Sequence, residues 1–112
     1  MLKAKSAVRE LRLWLPAAAA RAQPVEELQQ RITKTCGGVT RFDATGTDED
    51  GFEEPILYLH WIAFSDRAAV RALGLLRELA HVLLTEAHQN SVLVDYGTGD
   101  GPTLYYDEPI SG

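Results

Sequence analysis

The sequence is poor in cysteine: Cys36 is the single one in 112 residues. An intrachain disulfide is excluded, and the usage fits a reducing compartment, which points to the cytoplasm. Long hydrophobic runs are missing too. The longest, Pro55 to Phe64, is strand-sized and carries His60, well short of the roughly 20 apolar residues that a membrane span needs. Serines are few, and none sits in a strand-to-helix nucleophile turn. No set of residues completes a catalytic constellation, so an enzyme is the weaker expectation.

Basic residues are scarce in the second part of the chain. From Phe42 to Gly112 there are three against thirteen acidic ones, whereas Met1 to Arg41 holds eight against three. The net charge is -5. An acidic chain is a poor non-specific binder of nucleic acid. The third strand holds no Lys or Arg, and the basic-aromatic run of an RNA-binding sheet is absent. Nucleic acid is therefore not an expected partner, nor is a membrane. The asymmetry would suit a bipolar surface that pairs head to tail with another copy or with an acidic partner. The alternative is that folding mixes the two halves and cancels the field.

Hydrophobic residues make up 46% and charged residues 24% of the chain, the balance of a globular protein. The length suits one domain over residues 1–112, able to fold without metals or disulfides. Leu13 to Pro16, four alanines and Ala20-Arg21-Ala22 mimic a secretory leader behind Lys3, Lys5, Arg9 and Arg12. The apolar part is short, and Pro16 and Arg21 interrupt it, so the segment reads as part of the domain.

Val8 to Leu15 alternates, with Leu11, Leu13 and Leu15 on one side and Glu10, Arg12 and Trp14 on the other. That pattern predicts a half-buried strand, with a helix from Lys3 as the rival. Pro24 opens a short amphipathic helix that Gly37 and Gly38 stop. Val39 to Ala44 predicts a second strand, Thr45 to Glu54 an acidic loop, and Pro55 to Phe64 the strongest strand. Ser65 or Asp66 caps a long helix to about His88, with one solvent stripe and a wide apolar face that includes Val70. Ser91 to Tyr96 and Thr103 to Asp107 are strands joined by a glycine-rich hairpin connection.

The order β-α-β-β-α-β, plus one further strand, resembles the split βαβ, or ferredoxin-like, superfold over almost the whole chain. The resemblance implies an α+β two-layer sandwich with both helices on one face of an antiparallel sheet. It is one of element order, and a superfold carries no function of its own.

In that arrangement Leu11, Leu13, Leu15, Leu57, Leu59 and Trp61 point to the helices. Arg12, Trp14, Tyr58, His60 and Ile62 point the other way, onto a face that stays open unless a loop or terminus folds over it. An exposed patch with Trp, Tyr and Ile calls for a partner, and a second copy packing sheet on sheet is the simplest. The expected function is thus a small, non-catalytic binding or interaction protein, homodimeric through this face. The alternative is a small-molecule pocket, with Trp14 and Tyr58 as stacking surfaces, His60 as proton-transfer group and Arg12 as anion clamp.

Other candidates carry less. Glu78-x-x-His81 is half of a di-metal motif that needs more helices than two. The acidic loop Asp48 to Glu54 lacks the spacing of a calcium loop. Gly97-x-Gly99-x-Gly101 leads into Pro102 and a strand, so it is a turn and not a phosphate loop. Cys36 ends a helix, where the dipole disfavours a thiolate. No metal and no cofactor are expected.

Overall fold

The computed structural model describes residues 2–3 and 9–106. Val8 and Asp107, expected at the ends of the first and last strands, lie outside the described residues. So do Met1 and Lys5 of the leader-like segment. Five strands and two helices follow one another as β1 (Arg9–Pro16), α1 (Gln23–Cys36), β2 (Thr40–Thr47), β3 (Glu53–Ala63), α2 (Asp66–Thr85), β4 (Ser91–Asp95) and β5 (Thr103–Tyr106). A 3-10 turn, Ala19–Arg21, links β1 to α1 and tucks Ala19 into the core.

The strands form one sheet in the order β2-β3-β1-β4-β5. Every neighbouring pair is antiparallel. This is the ferredoxin-like α+β sandwich, with β5 added outside β4. Both helices lie on one face and pack against each other and the sheet.

Local chemistry explains the element ends. Pro24 sits in the first turn of α1, where its missing N–H is not needed. Gly37 takes a left-handed φ of 84°, and the N–H groups of Gly37 and Gly38 both donate to the Thr33 carbonyl. Ser65 is the cap of α2: its Oγ accepts the Ala68 N–H at 3.1 Å. The helix stops at Thr85, short of His88, because His88 itself takes a positive φ of 55°.

The alternation of β1 sorts its residues as expected. Leu11, Leu13 and Leu15 are buried, together with Leu59, Trp61 and Ala63 of β3. Against them lie Val25, Leu28 and Ile32 of α1 and Leu76, Leu79 and Leu83 of α2. The indole of Trp61 is fully buried, yet its N–H is satisfied by Thr33 Oγ at 3.0 Å. Thr33 in turn donates to the Gln29 carbonyl at 2.7 Å, so the polar tip of this indole is wired to the backbone of α1.

Two expectations need correction. Val70 does not join the apolar face of α2; it is 70% exposed and lies in the solvent stripe beside Arg67 and Arg71. Helical spacing puts residues 67, 70/71 and 74 on one side, and the apolar count overrode that geometry. Thr45 to Glu54 is not a loop either. The two strands continue through the pairs Thr45↔Pro55, Gly46↔Glu54 and Thr47↔Glu53, leaving only a tight turn. Asp48 builds that turn by accepting the Asp50 and Phe52 N–H groups on one carboxylate oxygen, both at 2.9 Å.

Candidate functional site

The face of the sheet opposite the helices carries all five residues expected there. Arg12, Trp14, Tyr58, His60 and Ile62 are each half-buried. The pairing register arranges their neighbours into bands that run across the strands. One band is apolar and crosses the whole sheet: Phe42 pairs with Tyr58, Tyr58 with Trp14, Trp14 with Leu93 and Leu93 with Leu104. Within it the Trp14 and Tyr58 rings lie 5.2 Å apart and the Phe42 and Tyr58 rings 5.6 Å apart, both tilted. Such offset contacts add to the stabilisation by area alone. Ala44, Ile56 and Pro16 form a second, smaller apolar row beside it.

The band on the other side is polar. Thr40 pairs with His60, His60 with Arg12, and Arg12 with Asp95. Glu10, one pleat further along β1, lies opposite Ile62 and reaches back into this band. Its carboxylate accepts Arg12 Nη2 at 3.0 Å and stands 3.3 Å from His60 Nε2. The guanidinium also reaches Asp95 at 3.5 Å through Nη1. Arg12 is therefore held between two carboxylates, and Glu10 is shared by Arg12 and His60. His60 Nε2 is at ion-pair distance from Glu10 but off the line of a hydrogen bond, and Arg12 Nε is buried without a partner.

Asp95 is fixed from behind. Its other carboxylate oxygen accepts the Gly97 N–H at 2.8 Å. Gly97 has a φ of 68°, and a Cβ there would overlap the Glu10 carbonyl oxygen. Only glycine lets the β4–β5 connection come this close to β1.

Two open hollows flank the polar end. One of about 300 Å³ lies between the end of α1 and β3, lined by Cys36, Gly38, Thr40, His60, Ile62 and Phe64 among others. The other, about 470 Å³, is lined by Glu10, Ile62, Asp95 and the three glycines Gly97, Gly99 and Gly101. Ile62 borders both. Trp14, Tyr58 and Arg12 border neither; they stand on the flat part of the face. Burial raises the Cys36 thiol pKa above its ordinary value, so this thiol is a poor nucleophile beside the first hollow.

Sequence reasoning missed Phe42, Leu93, Leu104 and Asp95 as members of this face. Phe42 carries a readable signal, since Thr40, Phe42 and Ala44 alternate with Arg41 and Asp43. The place of Asp95 rests on the β1–β4 register, a long-range pairing that periodicity does not report. Tyr96 lies on the helix side. Its hydroxyl pairs with that of Tyr105 at 2.9 Å, and Arg77 stands over its ring at 5.8 Å. Burial, then the Tyr105 hydrogen bond, push its pKa well above that of a free phenol. Among the described residues no group of three or more His, Cys, Asp or Glu could hold a metal ion. No described helix is long and apolar enough to cross a membrane.

No family model matches the chain, and no curated protein matches it in sequence. Its structure is similar to that of a phage SAM lyase solved in complex with S-methyl-5'-thioadenosine. The two are 15% identical with a TM-score of 0.51, over 96% of this chain and 95% of that one. At that identity the likeness shows a shared fold.

Proposed function

We propose that this chain is a small non-catalytic interaction protein that binds another copy of itself through the open sheet face. The observation that carries this reading is the apolar band from Phe42 to Leu104, which crosses all five strands and which no described residue covers. Five strands at about 4.8 Å, over about six residues each, present roughly 500 Å² per copy. Two such faces remove about 1,000 Å², the lower bound for a specific interface. The polar band adds a desolvation cost to burial, which the pairing of Arg12 with Glu10 and Asp95 lowers but does not remove. The buried, unpaired thiol of Cys36 is compatible with a cytoplasmic setting.

Trp14→Glu tests the reading. It places a carboxylate in the middle of the apolar band while leaving the helix side intact. The wild type is expected to run as an oligomer by light scattering and the variant as a monomer. An unchanged mass in the variant, or a monomeric wild type, overturns the proposal.

A second reading rests on a different observation. The hollows beside His60 and Ile62 fit a small ligand, and the similar SAM lyase structure holds S-methyl-5'-thioadenosine. In this reading His60 orients a ligand in the first hollow and Ile62 supplies apolar wall to both, while Arg12, Tyr58 and Trp14 stand outside them on the flat part of the face. A thermal melt against a metabolite panel that includes this nucleoside should then show a rise that His60→Ala abolishes. No rise across the panel removes the reading.

A further inference from the structure

The β2–β3 hairpin leaves the sheet before it ends. The last pair between β1 and β3 is Pro16↔Ile56. Beyond it Thr45 to Pro55 form a two-stranded arm that, among the described residues, pairs with no third strand; at its root the Pro55 carbonyl accepts the Ala17 N–H at 2.9 Å. An isolated two-stranded hairpin is at best marginally stable in water. This one carries Asp48, Glu49, Asp50, Glu53 and Glu54, and Phe52 stands 73% exposed at its tip. Gly46 lets Ile56 lie across the arm, where a Cβ would come within 2.8 Å of the Ile56 side chain. Ile56 is thus a small apolar brace at the root of the arm, and Glu49, Asp50, Phe52, Glu53 and Glu54 are exposed.

The complement of this arm lies elsewhere on the same molecule. A groove of about 530 Å³ between the outer side of α1 and the start of β2 is lined by Glu27, Gln30, Arg31, Thr33, Lys34 and Arg41. Three cations face one carboxylate there. Among the described residues none of these cations forms an ion pair, and neither do the five carboxylates of the arm. The hydrocarbon stems of Arg31, Lys34 and Arg41 also give the groove apolar walls on which a phenyl ring can lie.

The arm cannot fill the groove of its own chain. Arg41 lies near the start of β2 and Asp48 just past its end, which separates them by about 23 Å of extended strand. We infer that the acidic arm docks in the basic groove of a second copy of this chain. Carboxylates of the arm meet Arg31, Lys34 and Arg41, and Phe52 lies against their stems. The contact is heterologous, arm to groove, so repeated copies close into a ring or extend as a chain. It gives the unequal charge of the two halves of the sequence a role: each half supplies one side of the contact.

The contact does not depend on the sheet-face reading, because Trp14 belongs to neither arm nor groove. A charge-swap experiment tests it in the full chain. One variant carries Glu49→Lys, Glu53→Lys and Glu54→Lys; Asp48 is left alone because it builds the turn. A second carries Arg31→Glu, Lys34→Glu and Arg41→Glu. A third combines all six and keeps the wild-type net charge. Sedimentation at low salt should show self-association weakened about tenfold or more in each of the first two, and recovered in the third. Circular dichroism checks that all are folded. Phe52→Ser, which alters no charge, should weaken association as well.

The inference is overturned if the wild type is monomeric at low salt, if neither reversal alters association, or if the folded six-fold variant fails to recover. Disassembly by Trp14→Glu without any response to the reversals would sink the arm contact and leave the sheet face standing. The opposite pattern would do the reverse.

Discussion

The two faces of this sheet are built from alternate residues of the same strands, and they obey different rules. On the helix side Leu11, Leu13, Leu15, Leu59 and Trp61 are buried, and the one polar tip among them is hydrogen-bonded. On the other side Trp14 and Tyr58 stack beside a charged chain of Glu10, Arg12, His60 and Asp95. A permanent core excludes charges because desolvating them is costly. A surface that is wet at some times and covered at others needs the opposite, apolar area for contact and enough charge to stay soluble alone. The mixture on the open face has that character.

Mutations should separate the two faces by the size and kind of their effect. The largest loss is expected for Trp61→Ala, about 3–5 kcal/mol by denaturant unfolding, since it empties the centre of the core. Gly97→Ala comes next, at about 2–4 kcal/mol, from a positive φ and an overlap with the Glu10 carbonyl. It should also disturb Asp95 and loosen the polar band. Tyr58→Ala should cost the isolated chain only about 1 kcal/mol, yet weaken association strongly, because its ring lies in the middle of the apolar band. A Tyr58→Ala variant as unstable as Trp61→Ala would mean that the open face belongs to the core, and the contrast between the faces would fail.

Much of this was legible in the chain itself. Alternation along Leu11 to Leu15 and Leu57 to Trp61 told one face from the other, because a strand repeats every two residues. Pro24, Gly37 and Ser65 marked helix ends by local chemistry that needs no tertiary context. What lay beyond reach depended on register. The polar band exists only because β4 pairs with β1 so that Asp95 stands opposite Arg12. The acidic arm has the composition of a loop, because its Asp, Glu and Gly content outweighs the alternating threonines Thr45 and Thr47. Asp48 made a tight turn possible where composition suggested a long one.

The most direct test uses the two tryptophans, one on each face. In a Trp61→Phe background Trp14 is the sole indole, and its quenching by acrylamide reports cover of the open face. Measured across a dilution series with mass in parallel, Trp14 should be readily quenched when the chain is monomeric and become protected as the mass rises. Quenching that stays high through the rise in mass, or a mass that never rises, would contradict assembly through this face.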